Sequence, residues 1–331
     1  MVTYCHQKCK TNFLTSYPIL EEEPKHRLVM RQMKEKPDTL VRSPQPDTGG
    51  DDPVAVSPTL SKRRLSKRLR ELREAKRMTA DAVVERAHAL GGTRWSASKI
   101  TRLERDEWLR PRVEDVELLL DVYDVTDLAE RAELVRLARE ARQRGWWAAY
   151  DDVLGRGALT GLEPGASRIR TVELTVIPGL LQTPDYARAV IQAGGIHDDA
   201  EVNRRVEARM LRQRILAGPD TPQLWAIIDV AALRKADTAQ LRHLIDVQRR
   251  DLRVRVLPDE VGPHAAVSGG FTLLDFDGDS TVVYTENPVT QALTDDPDRV
   301  REWELVYQYV SASALSVEES RTLIQDLIDR Q

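Results

Sequence analysis

The ten residues Trp95-Ser96-Ala97-Ser98-Lys99-Ile100-Thr101-Arg102-Leu103-Glu104 constrain this chain more than any other stretch. Ser96 suits a helix N-cap, because its hydroxyl can accept from an orphan backbone N–H of the first turn. Ile100 and Leu103, three apart, predict one inward stripe. Ala97, Ser98, Lys99, Thr101 and Arg102 are then left outward, small polar groups beside cations. Such a surface suits base edges and phosphates, so the segment reads as a short helix for the major groove of DNA.

The flanking residues supply its support. Leu65, Leu69 and Leu72 fall at i, i+4 and i+7 and mark a first helix, whose outer face carries Lys62, Arg63, Arg64, Lys67, Arg68, Arg70 and Arg73. Met78-Thr79 opens a second helix with Ala82, Val83, Ala87 and Leu90 as its apolar side, and Gly91-Gly92 ends it. Pro111 fits the first turn of another helix, along which Val113, Val116, Leu120 and Tyr123 repeat. Charge follows the same division. Residues 60–112 hold 16 Lys and Arg against 7 Asp and Glu, a net of +9, which leaves −13 on the remainder of a chain whose total is −4. A basic module beside an acidic one is expected where only one half meets phosphate.

Residues 61–126 resemble a lambda-repressor-like helix-turn-helix domain of the xenobiotic-response-element class. The matching residues are Leu69-x-x-Leu72-Arg73, then Met78-Thr79, then Ser96-x-Ser98-x-Ile100-x-Arg102-Leu103-Glu104. The resemblance implies a compact all-α bundle of about five helices, with the third in the major groove of double-stranded DNA. On this reading Arg94, Ser96, Ser98, Lys99 and Arg102 contact phosphates and bases, and Ala97 offers a methyl to thymine. Thr101, Thr79 and Lys67 complete the expected contact set. The chain departs from the family in three places. Ala80 and Ala97 stand where Gln is frequent, so the bidentate Gln–adenine contact is not expected. Asp106 replaces the glycine after the Arg-Leu-Glu run, and Asp enters the left-handed conformation less easily. The connection from His88 to Trp95 is longer than a tight turn.

Residues 1–60 read as a disordered tail and linker. Residues 1–59 hold seven of the 17 prolines and show no sustained periodicity, and Pro44 to Pro53 is the clearest linker. The basic run Ser61-Lys62-Arg63-Arg64 reads either as an arm along phosphate or as the polar start of the first helix. Cys5 and Cys9 are the only cysteines, which makes no disulfide framework and favours a reducing compartment. Beside His6 they form only a weak metal signature, and no metal or cofactor is expected. There is no apolar run of about 18 residues and no signal peptide, so a cytoplasmic, nucleoid-associated protein without membrane contact is expected.

Residues 127–155 read as a connecting helix, from Asp127 to about Arg144, with Leu128, Leu134, Val135, Leu137, Ala138 and Ala141 inward and Gly145 as its stop. Trp146 and Trp147 cannot share a helix face, so one is expected to pack on each neighbouring domain. From residue 156 the pattern is that of an α+β domain. Strands are expected at 174–177, 224–228, 254–257, 271–274 and 282–284, and helices at 184–194, 198–217, 237–250, 297–313 and 316–330. This half resembles the C-terminal domain, of unknown function, of a large group of actinobacterial regulators. The carrying residues are Arg168-Ile169-Arg170-Thr171-x-Glu173, Ile177-Pro178-Gly179-Leu180-Leu181-Gln182-Thr183-x-x-Tyr186-Ala187-Arg188 and Arg205-x-x-x-Arg209, with Gly262-x-His264, Ser268-Gly269-x-Phe271-Thr272-Leu273-Leu274 and Tyr284-x-Glu286. Together with the first domain the architecture is WhiJ-like. That resemblance implies DNA binding, a homodimer and often a small acidic protein partner encoded nearby.

Catalytic signatures are missing: there is no P-loop, no H-E-x-x-H, no Rossmann G-x-G-x-x-G and no G-x-S-x-G. Arg168, Arg170, Asp229, His264, Ser268 and Glu286 form the most site-like set, on expected strand ends and glycine-rich loops. Arg168 and Arg170 share a face if their segment is extended and would suit an anion. Ordinary salt bridges and strand-end caps explain the same residues. The expectation is a non-enzymatic, sequence-specific DNA-binding transcription regulator, modulated through its second domain by a ligand or a small protein. The alternative is a toxin-like, nucleotide-processing enzyme whose DNA module serves autoregulation.

Overall fold

Helix α1 (Pro58–Ala75) comes first among the described residues and contributes to both halves of them. The computed structural model describes residues 57–108, 110–154, 158–218, 221–287 and 290–331. The expected tail up to residue 56, its linker and the Cys5-His6-Cys9 segment lie outside the described residues. Residues 57–60 do not belong to that tail. The Ser57 hydroxyl accepts from the Leu60 N–H at 3.0 Å, and Pro58 occupies the first turn, where its missing N–H costs nothing. The basic run Ser61–Arg64 is therefore helical and is not an arm.

Helices α2 (Ala80–Ala89), α3 (Ala97–Glu104), α4 (Val113–Val122) and α5 (Leu128–Glu140) complete the first domain. Leu65, Leu69, Val83, Ile100, Leu120 and Leu134 meet in its core. Pro111 lies outside α4, whose N-cap is Arg112 with extended backbone. α5 stops at Glu140, not near Arg144, with Ala141 as its C-cap. One 3-10 turn, Trp146–Tyr150, then leads into the second domain. Trp147 is buried against Gly145, where any Cβ would strike its ring, and lies beside Gly161, where a Cβ would strike Thr59. Trp146 lies edge-on to both Trp147 and Tyr150, at 6.2 and 6.1 Å between ring centroids.

The second domain starts with two short helices, α6 (Asp151–Leu154) and α7 (Ala158–Leu162). Its centre is a six-stranded sheet in the order β3-β2-β1-β4-β5-β6. The strands are β1 (Arg168–Glu173), β2 (Gln223–Asp229), β3 (Leu252–Leu257), β4 (Phe271–Phe276), β5 (Asp279–Glu286) and β6 (Gln291–Thr294). β1, β2 and β3 run parallel, joined by α8 (Pro184–Ala193) with α9 (Asp199–Arg212), and by α10 (Val230–Leu233) with α11 (Thr238–Asp246). β4, β5 and β6 continue as an antiparallel meander. One face buries Ile169, Leu224, Val254, Leu274 and Val282 beneath the crossover helices and α13 (Val317–Asp329). The other buries Val172, Ile227, Leu273 and Val283 beneath α12 (Pro297–Ser313).

Two strand assignments change. Residues 174–177, apolar enough to be read as a strand, form the bend after β1, and the strand is Arg168–Glu173. The short, partly exposed β6 was not expected at all. Among the described residues no helix is long and apolar enough to cross a membrane.

The two halves interlock along α1. Leu60, on the first turn of α1, is 5 % exposed and belongs to the core of the second domain, together with Leu162 and Ile169. The Ser57 hydroxyl donates to the Gly161 carbonyl. One turn on, Arg63 pairs with Asp295. Arg64 donates to the Asp277 carbonyl at 3.0 Å, and Lys67 donates to Asp279 at 2.9 Å and to Ser280 at 3.1 Å. The acidic β4–β5 turn thus grips the basic side of α1.

Candidate nucleic-acid interface

α3 forms as its sequence dictates. The Ser96 hydroxyl accepts from the Lys99 N–H at 3.2 Å, and Ile100 and Leu103 are buried. At its other end Asp106 takes φ +59, in the left-handed region. The Glu107 N–H reaches back to the Arg102 carbonyl at 2.9 Å, closing the helix. Lys62 of α1 holds Asp106 there through its carbonyl (2.8 Å) and its carboxylate (3.2 Å). The long α2–α3 connection is anchored by Trp95, which is buried over Gly92, a position with no room for a Cβ.

The expected contact residues separate into two groups. Arg94, Ser96, Ser98 and Arg102 are exposed, with Ser98 and Arg102 one turn apart on α3. Ala97 and Thr101 are half-buried beside them, and the Thr101 hydroxyl donates back to the Ala97 carbonyl at 3.0 Å. Thr79 is exposed and caps α2 by accepting from the Ala82 N–H at 3.2 Å. Lys99 is engaged internally: its Nζ sits 3.9 Å from the centroid of the Trp95 ring and 2.8 Å from Asp115. Lys67 is a correction. The face of α1 on which it lies is turned to the second domain, and the ammonium is held by Asp279 and Ser280.

Ion pairing in this domain is uneven. The cations of α1 from Lys62 to Lys76 all meet a carboxylate. Arg94, Arg102, Arg105, Arg110 and Arg112 are exposed and make no ion pair among the described residues, as is also true of Arg77 in the α1–α2 turn and Arg139 on α5. Of the nearest acids in sequence, Glu104 accepts from Arg73 at 2.7 and 2.8 Å and Asp106 is held by Lys62, while Glu107 and Glu114 are exposed and pair with none of these arginines. Folding thus ties up Glu104 and Asp106 and leaves these guanidinium groups without a carboxylate in contact. Arg105, Arg110 and Arg112 were not picked out from the sequence, because their isolation depends on those long-range pairs.

The second-domain set is not assembled into one site. Arg168 and Arg170 do share a face, but they share Asp275, at 3.0 and 2.6 Å, rather than an external anion, and Arg170 also reaches Glu304 of α12 at 3.2 Å. Asp229 caps α10 by accepting from the Ala231 N–H, with His264 at 3.8 Å. Ser268 is exposed on the loop before β4. Glu286 has the parity of Val282 and so lies on the opposite face of the sheet from Arg170, where it accepts from the Tyr284 hydroxyl at 2.6 Å. On that face Glu173 and Glu286 flank Gly270, where a Cβ would come within 3.1 Å of the Glu173 carboxylate. Burial, and then the Glu286 charge, push the Glu173 carboxyl up to about 7. Nearby, burial and the Arg212 charge lower Arg209 to about 10, while Arg212 itself is locked on buried Glu163 at 2.7 and 2.6 Å.

Comparison with known proteins gives two matches within the chain. A helix-turn-helix domain matches residues 64–134, and a domain of unknown function, DUF5753, matches residues 157–326. No curated protein and no solved structure matches the chain. The first match runs from within α1 to the middle of α5, so the bundle around α3 is a helix-turn-helix DNA-binding module. The second match takes in the whole sheet and more than half of the 331 residues, and the chain belongs to the DUF5753 family, carrying that domain behind a helix-turn-helix domain.

Proposed function

We propose that this protein is a sequence-specific transcription regulator in which α3 enters the major groove. The observation that carries the reading is the set of exposed, uncompensated arginines around α3, set against the fully paired cations of α1. Arg102 and Ser98 face the base edges, Ala97 and Thr101 meet them at closer range, and Arg94, Arg105, Arg110 and Arg112 take phosphates on either side. The protein acts as a homodimer on two half-sites about one helical turn apart. The second domain carries no chemical step. It answers to a ligand or a small protein and shifts the DNA-binding equilibrium through α1, the element the two domains share.

The test is selection of bound fragments from randomised DNA by residues 57–331 at about 150 mM salt, where non-specific phosphate binding is suppressed. A short inverted repeat, lost on Arg102→Ala, is the expected result. Enrichment that survives Arg102→Ala unchanged, or no enrichment at all, would overturn the assignment of α3.

A further inference from the structure

The two halves of the chain are joined along α1 in two physically different ways. The first is a seat at its first turn, where Leu60 enters the second core, Ser57 bonds Gly161, and the chain crosses between the domains close by through Trp146–Tyr150. Past Leu60 no residue of α1 belongs to a hydrophobic cluster of the second domain. The polar contacts there, among the described residues, are those of three cations. Arg63 pairs with Asp295, Arg64 donates to the Asp277 carbonyl at 3.0 Å and stands 3.6 Å from Asp279, and Lys67 donates to Asp279 at 2.9 Å and to Ser280 at 3.1 Å. Asp277-Gly278 is the two-residue loop between β4 and β5, and the φ of +73 at Gly278 closes it tightly, so the tip points its acids at α1. Burial alone would raise the Asp279 carboxyl, but Lys67 and the Ser280 N–H bring it below its ordinary value, so it meets α1 as a charge. Arg63, Arg64 and Lys67 thus lie within about one turn of a helix of the DNA-binding module, and carboxylate, carbonyl and hydroxyl oxygens surround them as phosphate oxygens would.

We propose that the β4–β5 turn, with Asp295, is an autoinhibitory latch that holds these three cations in place of DNA phosphate. A polar contact without apolar packing separates more readily than a buried leucine leaves its core, so the latch opens while the Leu60 seat holds and the bundle turns about the seat. Closed, the latch consumes the charge of Arg63, Arg64 and Lys67, and its own carboxylates repel the duplex. Open, it yields the three cations to phosphate. Latch closure and phosphate contact by α1 exclude one another, so whatever loosens the turn raises DNA affinity. The use of this latch for control rests on the regulator reading; the competition between turn and phosphate rests on the helix-turn-helix module alone.

The experiment is binding of the full chain to a random-sequence duplex of about 30 base pairs over a salt series. Asp279→Asn/Asp295→Asn removes the two carboxylates that pair with the cations. It should bind about tenfold or more tightly than wild type at about 150 mM salt, with a salt slope steeper by about two to three units, roughly one for each cation freed. Glu318→Gln/Asp326→Asn, the same charge change on the exposed side of α13, controls for net charge and should leave the slope as in wild type. Arg64→Ala/Lys67→Ala added to the open variant should take back about two units of slope. Melting curves check folding. Should the double variant not fold, Asp295→Asn alone, whose side chain is half exposed, should still steepen the slope by about one unit. A slope equal to that of the control pair, or a gain that survives Arg64→Ala/Lys67→Ala, would overturn the proposal. The random duplex holds no operator, so a failed fragment selection sinks the regulator reading and leaves the latch standing, and an unchanged slope here does the reverse.

Discussion

Arg73 and Glu104 meet fork to fork, Nε to one carboxylate oxygen at 2.7 Å and Nη to the other at 2.8 Å, and so tie the last turn of α1 to the last residue of α3. Arg73 also donates to the Met78 carbonyl at 2.9 Å, and the Glu104 side chain is only 9 % exposed. Glu104→Gln should cost about 2–3 kcal/mol of domain stability, because a half-buried guanidinium then loses its charged partner. DNA affinity should fall with it, since the pair fixes the C-terminal end of α3. Urea unfolding at pH 7 measures the first effect. A change below about 0.5 kcal/mol would show that the pair is not structural.

Arg102→Ala should behave in the opposite way. The side chain is exposed and makes no ion pair among the described residues, so the melting temperature should stay within about 1–2 °C of wild type. DNA affinity should drop, and if Arg102 meets phosphate the salt dependence should become shallower by about one unit of slope. Titration of labelled DNA over a salt series gives both quantities.

Lys67→Ala separates the two ends of the basic module. Its charge is consumed by Asp279, so its loss should leave the salt slope of DNA binding unchanged. Stability should fall by about 1–2 kcal/mol, because Asp279, whose side chain is 6 % exposed, loses its closest cation and keeps the Ser280 N–H at 2.7 Å and Arg64 at 3.6 Å. A salt slope lowered as much as in Arg102→Ala would mean that Lys67 leaves Asp279 to reach DNA.

Leu60→Ala should loosen the second domain although the residue lies on a helix of the first. The leucine is 5 % exposed among sheet-domain residues, and a buried Leu→Ala substitution costs about 2–5 kcal/mol. A chain started at residue 61 loses Leu60 and the Ser57 cap together and should melt lower than one started at 57. Equal melting temperatures would remove α1 from the second core.

Glu173 predicts a pH dependence. Its carboxyl is raised above the ordinary carboxylate value to about 7, so between about pH 4.5 and 7 the folded chain holds a proton that the unfolded chain has released. The contribution of Glu173 to stability is complete below that window and is lost as pH rises through 7, by on the order of 1–3 kcal/mol. Glu173→Gln should flatten the curve between pH 5 and 8. An unchanged slope would place the titration elsewhere.

The bundle was legible from sequence because its signals are local: Ser96, Thr79 and Asp127 cap their own helices, and Ile100 and Leu103 repeat at helical spacing. The second sheet was legible where strands are apolar, as at Leu224–Ile228. It was misread at β1, where Arg168, Arg170 and Glu173 interrupt the apolar pattern, because their burial against Asp275, Glu304 and Gly270 is supplied by strands and helices about 100 or more residues away. The proposed contact surface shows the same limit. The exposure of Ser98 and Arg102 follows from helix periodicity, but Lys67 and Lys99 are engaged by Asp279 and Asp115, and no local rule announces either pair.

The 18 residues of α1 form a rod about 27 Å long whose first turn is seated in one core and whose later turns are seated in the other. The chain therefore has a lever where a two-domain protein more often has a flexible tether. A tilt of roughly 10° at the seated end would carry the far end through about 5 Å, close to one helical pitch. In the proposed dimer, two such levers moving apart would put the paired α3 helices out of phase with the groove, and a small repacking around Leu60 would then change what the protein can hold.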